Sequence, residues 1–175
     1  MSFNIDFKKA TQTYIKNKKI IEQQFSGELY SLELNQNELN DIFDKAASTD
    51  ILHKHPNGLI LGIAMRINFN KKNYDSITIR YTRHTGTETE YLKTIKAIKY
   101  NAINSCIGIQ IDVDEEYNLI KGIIYDRYAL FNYIENNKEN LIKNNLKLVY
   151  DGNTYFKISY KEIETFKIKN KIFQN

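Results

Sequence analysis

The sequence predicts an α/β (α+β) domain: one central mixed sheet flanked by helices, with an extra C-terminal hairpin and a short helix after it. Two observations carry this. Strand-like stretches alternate with a period of two, and helical stripes opened by capping residues separate them. In the first stretch Leu59, Leu61, Ile63, Met65, Ile67 and Phe69 share one parity, and Gly62, Ala64, Arg66 and Asn68 the other. In the second, Ile77, Ile79 and Tyr81 alternate with Thr78, Arg80, Thr82 and His84. If 70–74 is the turn of a hairpin, Phe69 faces Asp75 and Arg66, Thr78, Arg80 and Thr82 share a face beside Gly62 and Ala64. Such a face is either a solvated antiparallel surface or a grip for an anion, since guanidinium matches phosphate geometry.

The remaining elements follow in order. Phe7, Ala10, Tyr14, Ile21 and Phe25 recur at helical spacing, so 6–25 is a helix ended by Ser26-Gly27. Residues 28–34 suit a short strand or a helical turn. Asn35 with Glu38 reads as a capping box for a helix with Leu39, Ile42, Phe43 and Ala46 inward, and Asp50 ends it or begins a strand. His55-Pro56-Asn57-Gly58 is turn chemistry. Thr87 with Glu90 predicts a helix over 88–104, its inner stripe Tyr91, Leu92, Ile95, Ile98 and Ala102, with Lys93, Lys96 and Lys99 on another side. Residues 107–113 and 119–125 form a strand pair around an acidic tip. Asp126 caps a helix carrying Ala129, Leu130, Tyr133 and Ile134. Residues 146–150 and 154–159 form a hairpin through Asp151-Gly152, and Ser159 with Glu162 opens the last helix.

At 175 residues, 42% hydrophobic and 26% charged, the chain reads as one domain, 1–175, with its core in 45–125. No apolar run approaches membrane length and no signal-peptide pattern opens it, so a cytoplasmic protein is expected. The net charge, 25 − 21 = +4, is a mild basic bias. Cys106 lies in an apolar run and reads as a small core residue. His53-Lys54-His55-Pro56 has the H-x-H-P order of zinc isopeptidases but no following S-x-x-D, so it reads as a polar turn. Asp112, Asp114, Glu115 and Glu116 lack the glycine turn and terminal glutamate of a calcium loop.

The string Thr49-Asp50, Gly62-Ile63-Ala64-Met65-Arg66-Ile67, Ile77-Thr78-Ile79-Arg80, Arg83, Gly86 and Thr89-Glu90 resembles a family of uncharacterised prokaryotic and phage proteins. That family in turn resembles a divergent branch of the PD-(D/E)xK, restriction-endonuclease-like superfamily. The resemblance covers residues 45–105. It implies a restriction-endonuclease-like fold, a nucleic-acid substrate and a setting in phage defence or mobile elements. Such enzymes hold Mg²⁺ between an acid and an acid-x-Lys triplet. Asp50 stands at the first acid, but Ala64-Met65-Arg66 occupies the triplet. Alanine binds no metal, and arginine keeps its proton.

Two readings follow. One is a Mg²⁺-dependent phosphodiesterase with a migrated site: Asp50, Asp75 and Glu90 as metal ligands, and Asp50, Arg66, Arg80 and Glu90 as catalytic residues. The other is a non-catalytic nucleic-acid-binding relative or a protein-interaction (inhibitor) module. In either, Lys93, Lys96, Lys99 and Arg83 are candidates for contacting DNA or RNA, and a homo-oligomer or a protein partner is compatible with both. The bland alternatives are that Glu90 caps a helix, Asp50 closes a turn and the lysine stripe is a solvated face.

Overall fold

The structure is a computed structural model, and its described residues are 3–32, 34, 49–69, 75–102, 104–148 and 152–174. In chain order the elements are α1 (Phe3–Glu22), β1 (Glu28–Ser31), β2 (Ile51–Lys54), β3 (Ile60–Phe69) and β4 (Ser76–Thr82). Then come α2 (Glu90–Tyr100), β5 (Ile107–Val113), β6 (Leu119–Asp126), α3 (Arg127–Asn136) and α4 (Lys138–Asn144). The chain closes with β7 (Leu146–Leu148), β8 (Thr154–Ser159), α5 (Tyr160–Thr165) and β9 (Asn170–Gln174). The expected class holds: α+β, with a mixed six-stranded central sheet and flanking helices. The expected helix after Asn35 and the 70–74 turn lie outside the described residues.

The central sheet runs β1-β2-β3-β5-β6-β9. Its β3–β5 pair is parallel and every other neighbour antiparallel. This corrects the expected β3–β4 hairpin. β2 takes one edge of β3 (Ile51 opposite Ile63) and β5 the other (Ile63 opposite Ile107), so no edge remains for β4. β4 instead pairs with β8 in a second sheet, β4-β8-β7. The C-terminal hairpin is thus present as β7–β8, but it serves to receive β4.

The odd parity of β3 behaves as its apolar pattern demands. Ile63, Ile109, Ile111 and Val113 are fully buried against Tyr14 and Ile21 of α1, with Met65 and Ile67 packed alongside. Asn17, also buried on α1, pins the helix to the β5–β6 turn. Its Nδ2 donates to the Tyr117 carbonyl (2.8 Å) and its Oδ1 accepts from the Leu119 amide (2.9 Å). On the other face, Ile123 and Tyr125 of the central sheet join Ile77, Ile79, Phe156 and Ile158 of the second sheet, with Tyr91, Leu130, Phe131 and Ile134 from α2 and α3. Full burial of each such aliphatic side chain contributes roughly 1.5–3 kcal/mol, so these two clusters supply the folding free energy.

Local signals were mostly obeyed. Asp126 caps α3 through the Ala129 amide, and Ser159 with Glu162 makes the capping box of α5. The cap of α2 is a correction. Thr89, not Thr87, accepts from the Leu92 amide, and Thr87 bonds within the preceding loop to Thr85 and Arg83. The helix starts two residues late, so Tyr91, Thr94 and Ala97 turn inward and Leu92 is left 43% exposed.

Gly108 marks a close approach on β5. A Cβ there would lie 2.2 Å from Cζ of Tyr125, whose ring rests on the glycine backbone. Gly108→Ala is therefore expected to destabilise the fold by about 1–3 kcal/mol, read as a lower urea midpoint with an unchanged slope.

Candidate functional site

The even parity of β3 faces away from α1, and after Ile60 at the start of the strand it carries almost no side-chain volume until Arg66. At Gly62 an added Cβ would meet Thr49 Oγ1 at 2.9 Å, and a Thr49–Ser105 hydroxyl hydrogen bond (2.9 Å) lies beside it. Ala64 follows, with Gly108 beside it on β5. A cleft of about 250 Å³ opens over this thin stretch. Asp50, Arg66, Thr78, Arg83, Glu90 and Tyr125 line it, with Glu88 and Lys93 at its wall.

Asp50 directly precedes β2 and sits on the β2–β3 seam. Its amide donates to the Ile63 carbonyl (2.9 Å), its carbonyl accepts from the Leu32 amide (2.9 Å), and its Oδ2 accepts from the Met65 amide (2.5 Å). Backbone pairing therefore holds this carboxylate at the cleft.

Arg66 and Arg80 also converge, though on different sheets. Their guanidinium carbons lie 5.2 and 5.4 Å from the centroid of one ring, that of half-buried Tyr155 on β8. Arg80 Nε donates to the Tyr155 hydroxyl at 3.0 Å. Tyr155 lies opposite both Arg80 and Lys147 in the second sheet, so a cation–aromatic–cation row crosses that face. Gln110, fully buried on β5 opposite Arg66, holds the two sheets together there. It accepts from the Thr78 amide (3.0 Å) and donates to the Ser76 carbonyl. Among the described residues neither Arg66 nor Arg80 forms an ion pair with a carboxylate.

The other expected residues divide. Glu90 lines the cleft, but its Oε1 holds Arg127 Nη2 at 3.1 Å. That guanidinium is fully buried, donates to Asn104 Oδ1 (2.5 Å) and the Ser105 carbonyl (3.1 Å), and lies over the Phe131 ring. Of the lysine stripe, Lys93 reaches the cleft, Lys96 pairs with Glu88 at 2.6 Å and Lys99 lies over the ring of Tyr100. Arg83 lines the cleft with Nη1 donating to Thr87.

Asp75 is not brought to the cleft; it pairs with Lys121, opposite Asp112 in the β5–β6 ladder. The proposed metal set Asp50, Asp75 and Glu90 is thus split. Mg²⁺ takes near-octahedral oxygen ligation. Asp50 and Glu90 each give an oxygen to a protein donor, and no cluster of three or more His, Cys, Asp or Glu placed for a metal occurs among the described residues. The expected three-carboxylate set is therefore not assembled among the described residues.

Elsewhere, His53 is buried with Nε2 on the Ser26 carbonyl (2.9 Å) and His55 bonds Asn57, as a structured turn requires. Asp114 folds the acidic tip: its bonds from the Asn118 side chain and amide and from the Glu116 amide hold its carboxyl below the usual range. Asp112 is no tip residue. It is buried, bonded to Asn68 at 2.8 Å, and burial pushes its carboxyl above the usual value.

Tyr155, Gln110, Tyr125 and Arg127 were not singled out from sequence. Gly108 was the available signal for Tyr125, because a glycine inside a strand marks a close approach. Nothing local announces that β8 pairs with β4, so Tyr155 was out of reach. Comparison of the chain with protein-family models, curated proteins and solved structures returns no match.

Removing the Arg127 cation strands a partly buried Glu90. Arg127→Leu is expected to cost about 3 kcal/mol by urea unfolding, and Arg127→Leu with Glu90→Gln to recover part of it. The raised Asp112 carboxyl means that the folded state holds its proton more tightly. That contribution is full below about pH 4 and is lost as pH rises through the folded-state value. Asp112→Asn should therefore gain on the native protein between about pH 4 and pH 7 when urea midpoints are compared.

Proposed function

We propose that this is a non-catalytic nucleic-acid-binding protein, of the cytoplasm, that grips the phosphate backbone of DNA or RNA with Arg66 and Arg80. The observation that carries this reading is the pair of guanidiniums over one half-buried ring with no carboxylate to balance them among the described residues. Like charges gathered around one ring repel, and an anion bound by both offsets that repulsion. Arginine forks match phosphate oxygens, and stacking on Tyr155 sets their planes in advance. Lys147 extends the charged row on one side, and Arg83 and Lys93 extend it at the cleft. Nuclease chemistry finds less support, because position 64 lacks a carboxylate and Asp75 is engaged elsewhere.

Fluorescence anisotropy with labelled DNA and RNA oligonucleotides tests this. Affinity should fall steeply between about 50 and 200 mM salt. Arg66→Ala and Arg80→Ala should each weaken binding about tenfold and lower the salt slope by about one unit. Binding that is absent, or indifferent to salt, overturns the proposal and directs attention to a protein partner.

A further inference from the structure

Independently of the phosphate-binding reading, we propose a second site: a pocket that takes one small apolar acid, a carboxylate on an alkyl body. The pocket, of about 530 Å³, opens where the chain leaving α1 meets the start of β5, the end of β6 and the start of β9. Its size falls within the ~300–1,000 Å³ of pockets that enclose one small molecule. Among the described residues it shares only Tyr125 with the arginine cleft, so the two openings are separate.

The lining is mostly apolar. Phe25, Ile107 and Ile124 pack against the core cluster that includes α1, yet each is only half-buried and lines the pocket. Cys106 and Tyr128, also half-buried, extend this surface, and Tyr128 donates its hydroxyl to the Asn104 carbonyl (3.3 Å). Apolar surface left half-wet is stabilised when the alkyl carbons of a ligand displace water from it.

The rim selects the headgroup. Three of its polar side chains are turned into the chain itself. Gln24 Nε2 donates to the Ile20 carbonyl (3.0 Å), Asn170 Nδ2 donates to the Ile168 carbonyl (2.9 Å), and Asp126 Oδ1 accepts from the Ala129 amide (2.8 Å). Lys169, directly before β9, and Lys171, within it, are different. Both are exposed, both line the pocket, and among the described residues neither forms an ion pair. Two lysines against the one carboxylate of Asp126 leave the lining with a single net positive charge. A carboxylate balances that charge more closely than a doubly charged phosphate does. Lysine is a point charge on a flexible stem, so it fixes the sign of the headgroup more than its shape.

The test is calorimetric titration of the full chain with hexanoate, octanoate, decanoate and octanol, each kept below micelle-forming concentration. Beside it runs the rate at which N-ethylmaleimide alkylates Cys106, the single cysteine of the chain. One molecule should bind per chain, and each pair of added methylenes should tighten acid binding about tenfold. Saturating octanoate should slow alkylation of Cys106 by at least about fivefold, since the thiol lies in the lining that the alkyl body covers. Octanol should bind about fivefold more weakly than octanoate at low salt. The double variant Lys169→Gln, Lys171→Gln should bring that ratio to within about twofold and leave octanol affinity unchanged. The chain-length series uses the unaltered protein and stands whether or not the variant folds. Affinity that ignores chain length, or binding that leaves Cys106 alkylation unchanged, overturns the proposal. So does equal affinity for octanoate and octanol. Protection of Cys106 that grows with protein concentration alone places a second copy of the chain there and overturns it as well. None of these outcomes bears on phosphate binding by Arg66 and Arg80.

Discussion

The parallel pairing of β3 with β5 brings the smallest side chains of both strands to one face, and the rest of the site depends on it. Gly62 and Ala64 on one strand and Gly108 on the other leave a patch of bare backbone in a sheet that is otherwise filled. Interiors pack to crystalline density, so a bare patch must be occupied by something. The Thr49–Ser105 hydroxyl bridge and the ring of Tyr125 fill part of it, and the cleft opens over Ala64. An added methyl group at Gly108 would intrude on the Tyr125 ring, and one at Gly62 on the hydroxyl bridge.

Charge is arranged on the same economy. Where the chain buries a cation completely, at Arg127, it surrounds it with Glu90, Asn104, the Ser105 carbonyl and the Phe131 ring. That is the general condition for a buried charge to be tolerated. Among the described residues Arg66 and Arg80 have no carboxylate partner; both lie over the Tyr155 ring, and Arg80 also donates to its hydroxyl. The contrast within one molecule gives the pair its meaning.

The architecture was legible from the sequence wherever a segment reports on itself. The parity of β3, the Asp126 cap, the Ser159–Glu162 box and the β5–β6 pair were read from local spacing, because period and capping are properties of short stretches. Which strands become neighbours is not such a property. The periodicity of 59–69 and 77–84 suits a hairpin as well as two separate sheets, and only occupation of both β3 edges decides between them. The convergence of Arg66 and Arg80 emerged despite the wrong pairing, since in both arrangements their parity turns away from the apolar residues. Asp75 was misplaced for the same reason: its position followed from the assumed hairpin and not from its own surroundings. Tyr155 and Gln110, which connect the two sheets at the site, gain their roles only from contacts distant in sequence.

The placement of Tyr155 has a temporal consequence. Arg66 and Arg80 emerge in synthesis before Tyr155, the ring that orients them, and β8 must dock on β4 before the three side chains meet. A nascent chain that has not yet reached β8 carries both arginines without the ring that orients them.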